Sequence, residues 1–172
     1  MLGLIGHNGA GKSTLLKTLH GLIRPDIGQI QLKGQIGALI ELGAGFNPIL
    51  TGKENIYVNA SILGLKKSEV DKIIHRIIDF AELGDFIDAP LQSYSSGMKV
   101  RLGYAVAAHL HPDILLIDEI LSVGDSSFRQ RCYDHLYHYR KQGGSVIFVS
   151  HNIRAVAASC DRVLWLDKGQ IK

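Results

Sequence analysis

The stretch from Gly6 to Thr14, GHNGAGKST, leaves the rest of the chain few folds to choose from. Gly6, Gly11, Lys12 and Ser13 fit G-x-x-x-x-G-K-[ST], with Gly9 added inside the loop. The apolar run Leu2-Gly3-Leu4-Ile5 precedes it, and Leu15, Leu16, Leu19 and Leu22 follow on an amphipathic segment, so the loop joins a strand to a helix. A loop without bulky side chains lets successive main-chain N–H groups of Gly6, His7, Asn8, Gly9, Ala10 and Gly11 curl round a phosphate, while Thr14 and the helix N-terminus add the positive end of a dipole. Lys12 then reaches the β- and γ-phosphates of a nucleotide, and the Ser13 hydroxyl ligates Mg²⁺.

The remaining chain reads as strands alternating with helices around an all-helical middle. Two short β segments are expected at 29–32 and 35–42, and a glycine-rich loop leaving the core at 41–48. Thr51-Gly52-Lys53-Glu54 is a capping box opening a helix with Ile56, Ala60 and Leu63 on one face. Ser68 is expected to cap the next, where Val70, Ile73, Ile74, Ile77 and Ile78 recur at helical spacing. A small-residue, apolar segment from Lys99 to Leu110 predicts a buried helix stopped before Pro112. Ile114 to Ile117 is a continuous apolar run ending in Asp118-Glu119, as a central strand of a parallel sheet requires. Ser126 and Ser127 are placed to cap a long helix to about Gln142, followed by a β-rich run at 145–150, a short helix at 153–158 and a last full strand at 162–167. The order implies an α/β fold with a mainly parallel sheet and an inserted α-helical subdomain.

At 172 residues the chain is long enough to bury one core, and its formal net charge of +3 comes without the like-charge block of a nucleic-acid surface. Cys132 and Cys160 are too few for a disulfide framework, and no apolar run reaches the length of a membrane span. Both ends are expected to fall inside a domain, because the chain starts just before the loop and stops just after a turn.

Asp118-Glu119 lies at the strand edge where ligands of open α/β sheets collect. Asp118 suits the outer shell of Mg²⁺, and Glu119 is placed to orient or deprotonate an attacking water. His151, after another β-rich run, belongs on the same edge, where its imidazole can meet a γ-phosphate or the water. Cys132, His135 and His138 drift round their helix and make no metal site, while His109 and His111 flank a helix stop in solvated or capping roles.

These motifs, in this order, resemble the nucleotide-binding subunit of an ATP-binding-cassette transporter: GHNGAGKST, ELGAGFNP, the helices from Thr51 to Ala81, YSSGM, ILLIDE, SVGD and His151. The resemblance implies a P-loop NTPase fold in one cassette domain, with a core at 1–45 and 109–172, a helical subdomain at 46–108 and N-terminal strands missing. It implies ATP and Mg²⁺ as cofactors and a head-to-tail homodimer. Ser95 and Gly97 of one subunit would close over the γ-phosphate held by the other, and Asp125 would communicate between the sites. Tyr94, Ser96 and Met98 depart from the family's signature, and Glu41 stands where it has a glutamine, a position from which a carboxylate could ligate Mg²⁺. The aromatic residue that stacks on adenine in the family lies upstream of the loop, so this stretch alone is expected to bind ATP weakly, a base stack being worth about 1–3 kcal/mol.

The wording ELGAGFNPILTGKENIYVNASILGL is similar to the subfamily that exports polysaccharides such as O-antigen, capsule and teichoic acid. That narrower likeness implies a peripheral ATPase on the cytoplasmic face of the inner membrane, bound to an integral-membrane permease and to no nucleic acid, with Phe46, Ile49 and Tyr57 near the docking surface. For Tyr57, filling the helical core is an equal alternative. Two other readings stay open: a soluble cassette protein acting on nucleic acid or ribosomes, and a regulatory fragment that binds nucleotide without turnover.

Overall fold

The computed structural model describes residues 1–39, 46–62, 64–110, 112–118 and 125–172, with the Leu39 side chain left aside. They divide into two compact units, one comprising 1–40, 112–122 and 131–172, the other 41–111 and 123–130.

The first unit is built on a six-stranded sheet. Its strands are β1 (Leu2–Ile5), β2 (Ile36–Leu39), β3 (Ile114–Ile117), β4 (Ser145–Val149), β5 (Arg162–Asp167) and β6 (Gln170–Ile171), in the spatial order β2-β3-β4-β1-β5-β6. All neighbours pair in parallel except β6, which turns back antiparallel on β5. β1 thus lies between β4 and β5, with Leu4 opposite Val149 on one side and Leu164 on the other. The apolar run predicted as a central strand is one: Leu115, Leu116 and Ile117 are all buried. Helix α1 (Lys12–Leu19) seats Leu16 in a core with Leu4, Leu116, Val149 and Leu166. Neighbouring strands satisfy the backbone polar groups, and helices over the faces of a parallel sheet let its strands be apolar on both sides.

The expected strand at 29–32 does not form. Ile30 and Leu32 are 37% and 43% exposed, and a segment with β-patterning but no neighbouring strand has nothing to pair with. Its successor is strand only as Ile36–Leu39; Gln35 stays outside the strand, and 40–42 lie outside the described residues.

The second unit is helical: α2 (Gly52–Ile62), α3 (Lys67–Ala81) and α4 (Ser96–His109), with two 3-10 turns at Gly84–Asp88 and Leu91–Ser93. The capping box forms as read, Glu54 accepting the Thr51 N–H at 2.8 Å and the Thr51 hydroxyl accepting the Glu54 N–H at 3.1 Å. Ser68 does not cap α3; the helix starts a residue earlier, and Glu69 accepts the Lys66 N–H at 2.7 Å. Val70, Ile74 and Ile77 are buried against Ile56, Leu91, Tyr94 and Leu102, with Ile73 and Ile78 at the margin. Asn55 is fully buried inside this unit, where its amide gives the turn before α2 four bonds: the Asn47 N–H donates to its carbonyl, and its NH₂ reaches the oxygens of Asn47, Leu50 and Thr51.

Helix α5 (Ser126–Lys141) is capped by neither Ser126 nor Ser127. Asp125 does it, accepting the Phe128 N–H at 2.8 Å. A carboxylate in that position also complements the helix dipole. Helix α6 (Ile153–Ser159) follows β4 with Asn152 as its N-cap.

Candidate functional site

The loop between β1 and α1 takes its shape from glycine where no other residue would serve. Gly9 and Gly11 sit at φ 81° and 102°, in the left-handed region, and a Cβ on Gly6 would run into the Leu166 carbonyl oxygen of β5. Ala10 is buried and gives its N–H to the His7 oxygen at 3.1 Å, closing the turn. Leu15 makes the first helical bond, to the Gly11 oxygen, so the amides of Lys12, Ser13 and Thr14 form the open N-terminus of α1.

Lys12 folds back over this loop. Its ammonium donates to the Gly6 oxygen at 2.8 Å and the His7 oxygen at 3.0 Å, which fixes a cation above the cradle. Ser13 donates its hydroxyl to Asp118 Oδ2 at 3.4 Å, across 105 residues of sequence. A hydroxyl and a carboxylate side by side are hard oxygen donors of the kind that Mg²⁺ takes, with phosphate and water completing its shell. Among the described residues no three His, Cys, Asp or Glu side chains gather into a metal cluster. The open helix amides, the ammonium and this oxygen pair fit a magnesium-bound triphosphate.

His7 closes the loop on its other side. Its Nδ1 is 2.7 Å from the Asn8 oxygen and its Nε2 2.8 Å from Asp167 Oδ1. These two bonds, the first above all, raise its pKa. His151 is exposed and lines, with His7, Gly6, Ile5, Ser150, Ile153 and Trp165, one pocket of about 500 Å³. The structure therefore brings Lys12, Ser13, Asp118, His7 and His151 to one end of the parallel sheet. Glu41 and Glu119 lie outside the described residues.

In the helical unit, Ser95, Gly97 and Asp125 share a groove of about 640 Å³ with Glu82, Asp85, Phe86, Met98 and Arg101. Ser95 is the N-cap of α4, its hydroxyl accepting the Met98 N–H at 3.2 Å, so the YSSGM stretch opens a helix. Tyr94 is 5% exposed and donates to the Phe86 oxygen at 2.5 Å; its hydroxyl occupies the space a side chain at Gly52 would need. The tyrosine is thus a core residue bracing the signature from behind. Arg101 joins Glu82 at 3.1 Å and Asp125, and its guanidinium lies 5.0 Å over the Phe128 ring. Together with the Phe128 amide, it holds the Asp125 carboxyl below its ordinary range, the amide contributing most.

Two participants escaped the reading of the sequence. Asp167 meets His7 across 160 residues, and no motif marks it. Arg101 stands one helical turn beyond Gly97, a hint that it shares the groove, but its acidic partners are distant in sequence.

Comparison with known proteins completes the picture. A family model described as ABC transporter matches residues 1–122. The chain is 48% identical over 171 residues to the O-antigen export system ATP-binding protein RfbB of Klebsiella pneumoniae, covering 99% of this chain and 70% of that protein. It is 49% identical to the ABC transporter protein AbcA of Aeromonas salmonicida and 46% identical to the teichoic acids export ATP-binding protein TagH of Levilactobacillus brevis. In both, 99% of this chain is matched, but the chain spans only 55% and 47% of the relatives' lengths. Among solved structures, the ATP-binding subunit of an ABC transporter superposes with a TM-score of 0.90 at 24% identity, over all of this chain and 76% of that one. A dimeric ATP-binding cassette in a post-hydrolysis state, bound to ADP and Pi, superposes with a TM-score of 0.82 at 24% identity, over all of this chain and 83% of that one. The fold is accordingly that of a P-loop NTPase.

Proposed function

The chain belongs to the ABC transporter family, and from that premise we propose that it is the ATP-binding and ATP-hydrolysing part of a subunit that powers polysaccharide export through a separate permease. One observation carries the ATPase reading: Lys12, Ser13 and Asp118, the last remote in sequence, converge on a glycine cradle at the open end of a helix. The relatives named for O-antigen and teichoic acid export support the transport reading, since 48% and 46% identity extends over 99% of the chain.

In this reading the loop from Gly6 to Thr14 binds the phosphates of ATP through its amides. Lys12 leaves the Gly6 and His7 oxygens for the β- and γ-phosphates, and Ser13 and Asp118 hold Mg²⁺. The metal, when bound, neutralises charge on the transferring phosphoryl group. Glu119, next after Asp118, orients or deprotonates the attacking water, His151 meets the γ-phosphate, and Glu41 ligates or senses the metal. A second copy supplies Ser95 and Gly97 at the N-terminus of α4, with its open amides, and Asp125 links the two sites. One cassette domain would divide into a core at 1–45 and 109–172 and a helical subdomain at 46–108.

Among the described residues no helix is long and apolar enough to cross a membrane. In the export reading a permease partner carries the transport path, with this subunit peripheral on the cytoplasmic face of the inner membrane. The exposed Ile49 would give that partner an apolar contact, whereas Phe46 and Tyr57 pack against the helical core and the Tyr57 hydroxyl donates to Asp71 at 2.7 Å.

The full-length protein and its Glu119→Gln form are compared for Mg²⁺-dependent ATP hydrolysis and for ATP affinity. Retained affinity with turnover reduced about 10²- to 10⁴-fold is expected, whereas equal rates would remove the role given to Glu119. Co-purification with an integral-membrane protein separates a transport subunit from a soluble cassette protein acting on nucleic acid.

A further inference from the structure

The phosphate loop leans on the β5–β6 hairpin at three points. Gly6 lies against the Leu166 oxygen, Gly169 donates its N–H to the Ala10 oxygen at 3.0 Å, and His7 reaches Asp167 at 2.8 Å. The first two are main-chain contacts that do not change with conditions. The third is a side-chain pair, and its chemistry is unusual in one respect: both ring nitrogens of His7 face acceptors. Nδ1 meets a carbonyl oxygen and Nε2 a carboxylate oxygen, and neither partner has a proton to give at neutral pH. A neutral imidazole carries one N–H and one lone pair, so it would satisfy one contact and oppose a lone pair to the other. Only the imidazolium donates to both.

We propose that Asp167 is a positioning residue for nucleotide binding, holding His7 as an imidazolium that fixes the first turn of the phosphate loop and adds positive charge beside Lys12. This rests on the triphosphate reading of the loop. With Asn8 and Asp167 both engaged, the main chain at His7 and Asn8 is held from two sides, which keeps the His7 oxygen in place for the closing bond from Ala10. The charged groups around His7 are Asp167 of β5, which favours its proton, and Lys12 of α1, which opposes it, while His151 after β4 lines the same pocket. The balance favours the proton, and the pKa of His7 is raised from 6.5. The charged form therefore persists up to the raised value, and the loop loses one anchor as pH rises through it.

The test uses the full-length protein, from about pH 5.5 to about 8.5, with two readouts: the His7 ring titration by NMR, and the affinity for Mg·ATP by calorimetry. Parent, Asp167→Asn, Asp167→Glu, His7→Gln and Lys12→Ala are compared, so that titration of the nucleotide itself cancels between variants. The parent's His7 should titrate above 6.5, move down toward 6.5 in Asp167→Asn and return upward in Asp167→Glu. Parent affinity should fall about two- to fivefold as pH passes the His7 value, the size expected of an exposed ion pair. That step should move with His7 in Asp167→Asn and vanish in His7→Gln. An unchanged His7 titration in Asp167→Asn, or an unchanged affinity step in His7→Gln, overturns the proposal. Lys12→Ala separates the two levels. If it weakens binding about ten- to a hundredfold while His7→Gln keeps the parent's profile, the role of Asp167 alone falls; if it binds as the parent does, the triphosphate reading falls and takes this proposal with it.

Discussion

Lys12 in its resting place satisfies two carbonyl oxygens that face the cradle, so the loop holds its shape before any phosphate arrives. Replacing it removes both the internal brace and the cation for the ligand. Lys12→Ala should weaken ATP binding about ten- to a hundredfold, the scale of a charge-assisted hydrogen bond, as read by calorimetry; unchanged affinity would refute its role. Gly6 makes a different kind of demand, since the obstacle is the Leu166 main chain, which cannot rotate away. Gly6→Ala should cost about 1–3 kcal/mol of stability in denaturant melts and lower nucleotide affinity with it. Both residues were legible in the sequence because the motif names them. Asp167 was not, because a contact between distant residues leaves no local pattern, and neither was the burial of Tyr94, which occupies a place where the family has a leucine.

In the helical elements the same contrast appears between what is local and what is not. The Thr51–Glu54 capping box spans four consecutive residues and was readable directly, and the helical spacing of Val70, Ile74 and Ile77 announced the buried face of α3. The segment at 29–32 misled, because alternation describes a strand's surface but does not supply the neighbour it must bond to. The caps expected at Ser68, Ser126 and Ser127 misled for a related reason. A helix start belongs to whichever nearby residue the backbone leaves extended, and Glu69 and Asp125 accept the critical N–H groups instead. Asn55 gives these elements their most demanding requirement: it is fully buried, and its four bonds shape the turn that displays Ile49. Asn55→Ala should cost about 2–3 kcal/mol, because main-chain groups are left buried without partners, against about 1 kcal/mol for Thr51→Ala. Thermal unfolding measures both, and equal shifts in the two variants would contradict this ranking.

For the molecule as a whole, acid and alkaline limits of stability follow from particular groups. Asp125 is held below its usual 3.8, mainly by the Phe128 amide and with Arg101 beside it, so its contribution is complete above about that pH and is lost as pH falls through the lowered value. Tyr139 sets the opposite limb. It is 6% exposed, donates to the Pro112 oxygen at 2.5 Å, and has its pKa pushed up to about 12 by burial and then by the charge of Asp113. The folded chain therefore keeps this proton more tightly than the unfolded one, and stability falls as pH rises from 10 to about 12. Urea melts across that range should show a flatter decline for Tyr139→Phe, and an identical slope would exclude the tyrosine as the cause. The parallel α/β order and the helical insertion were readable from alternation and spacing, but which strands would be neighbours was not, since β1 finds β4 and β5 only through the fold. That arrangement bears on synthesis. The hairpin that steadies the nucleotide loop is translated 160 residues after His7, at the Asp167 end of the contact. At about 5–20 residues per second, a ribosome has been extending the chain for about 8–32 s after making the loop before its last support exists. During that interval the nascent polypeptide carries the complete motif without the hairpin contacts that brace it in the folded chain.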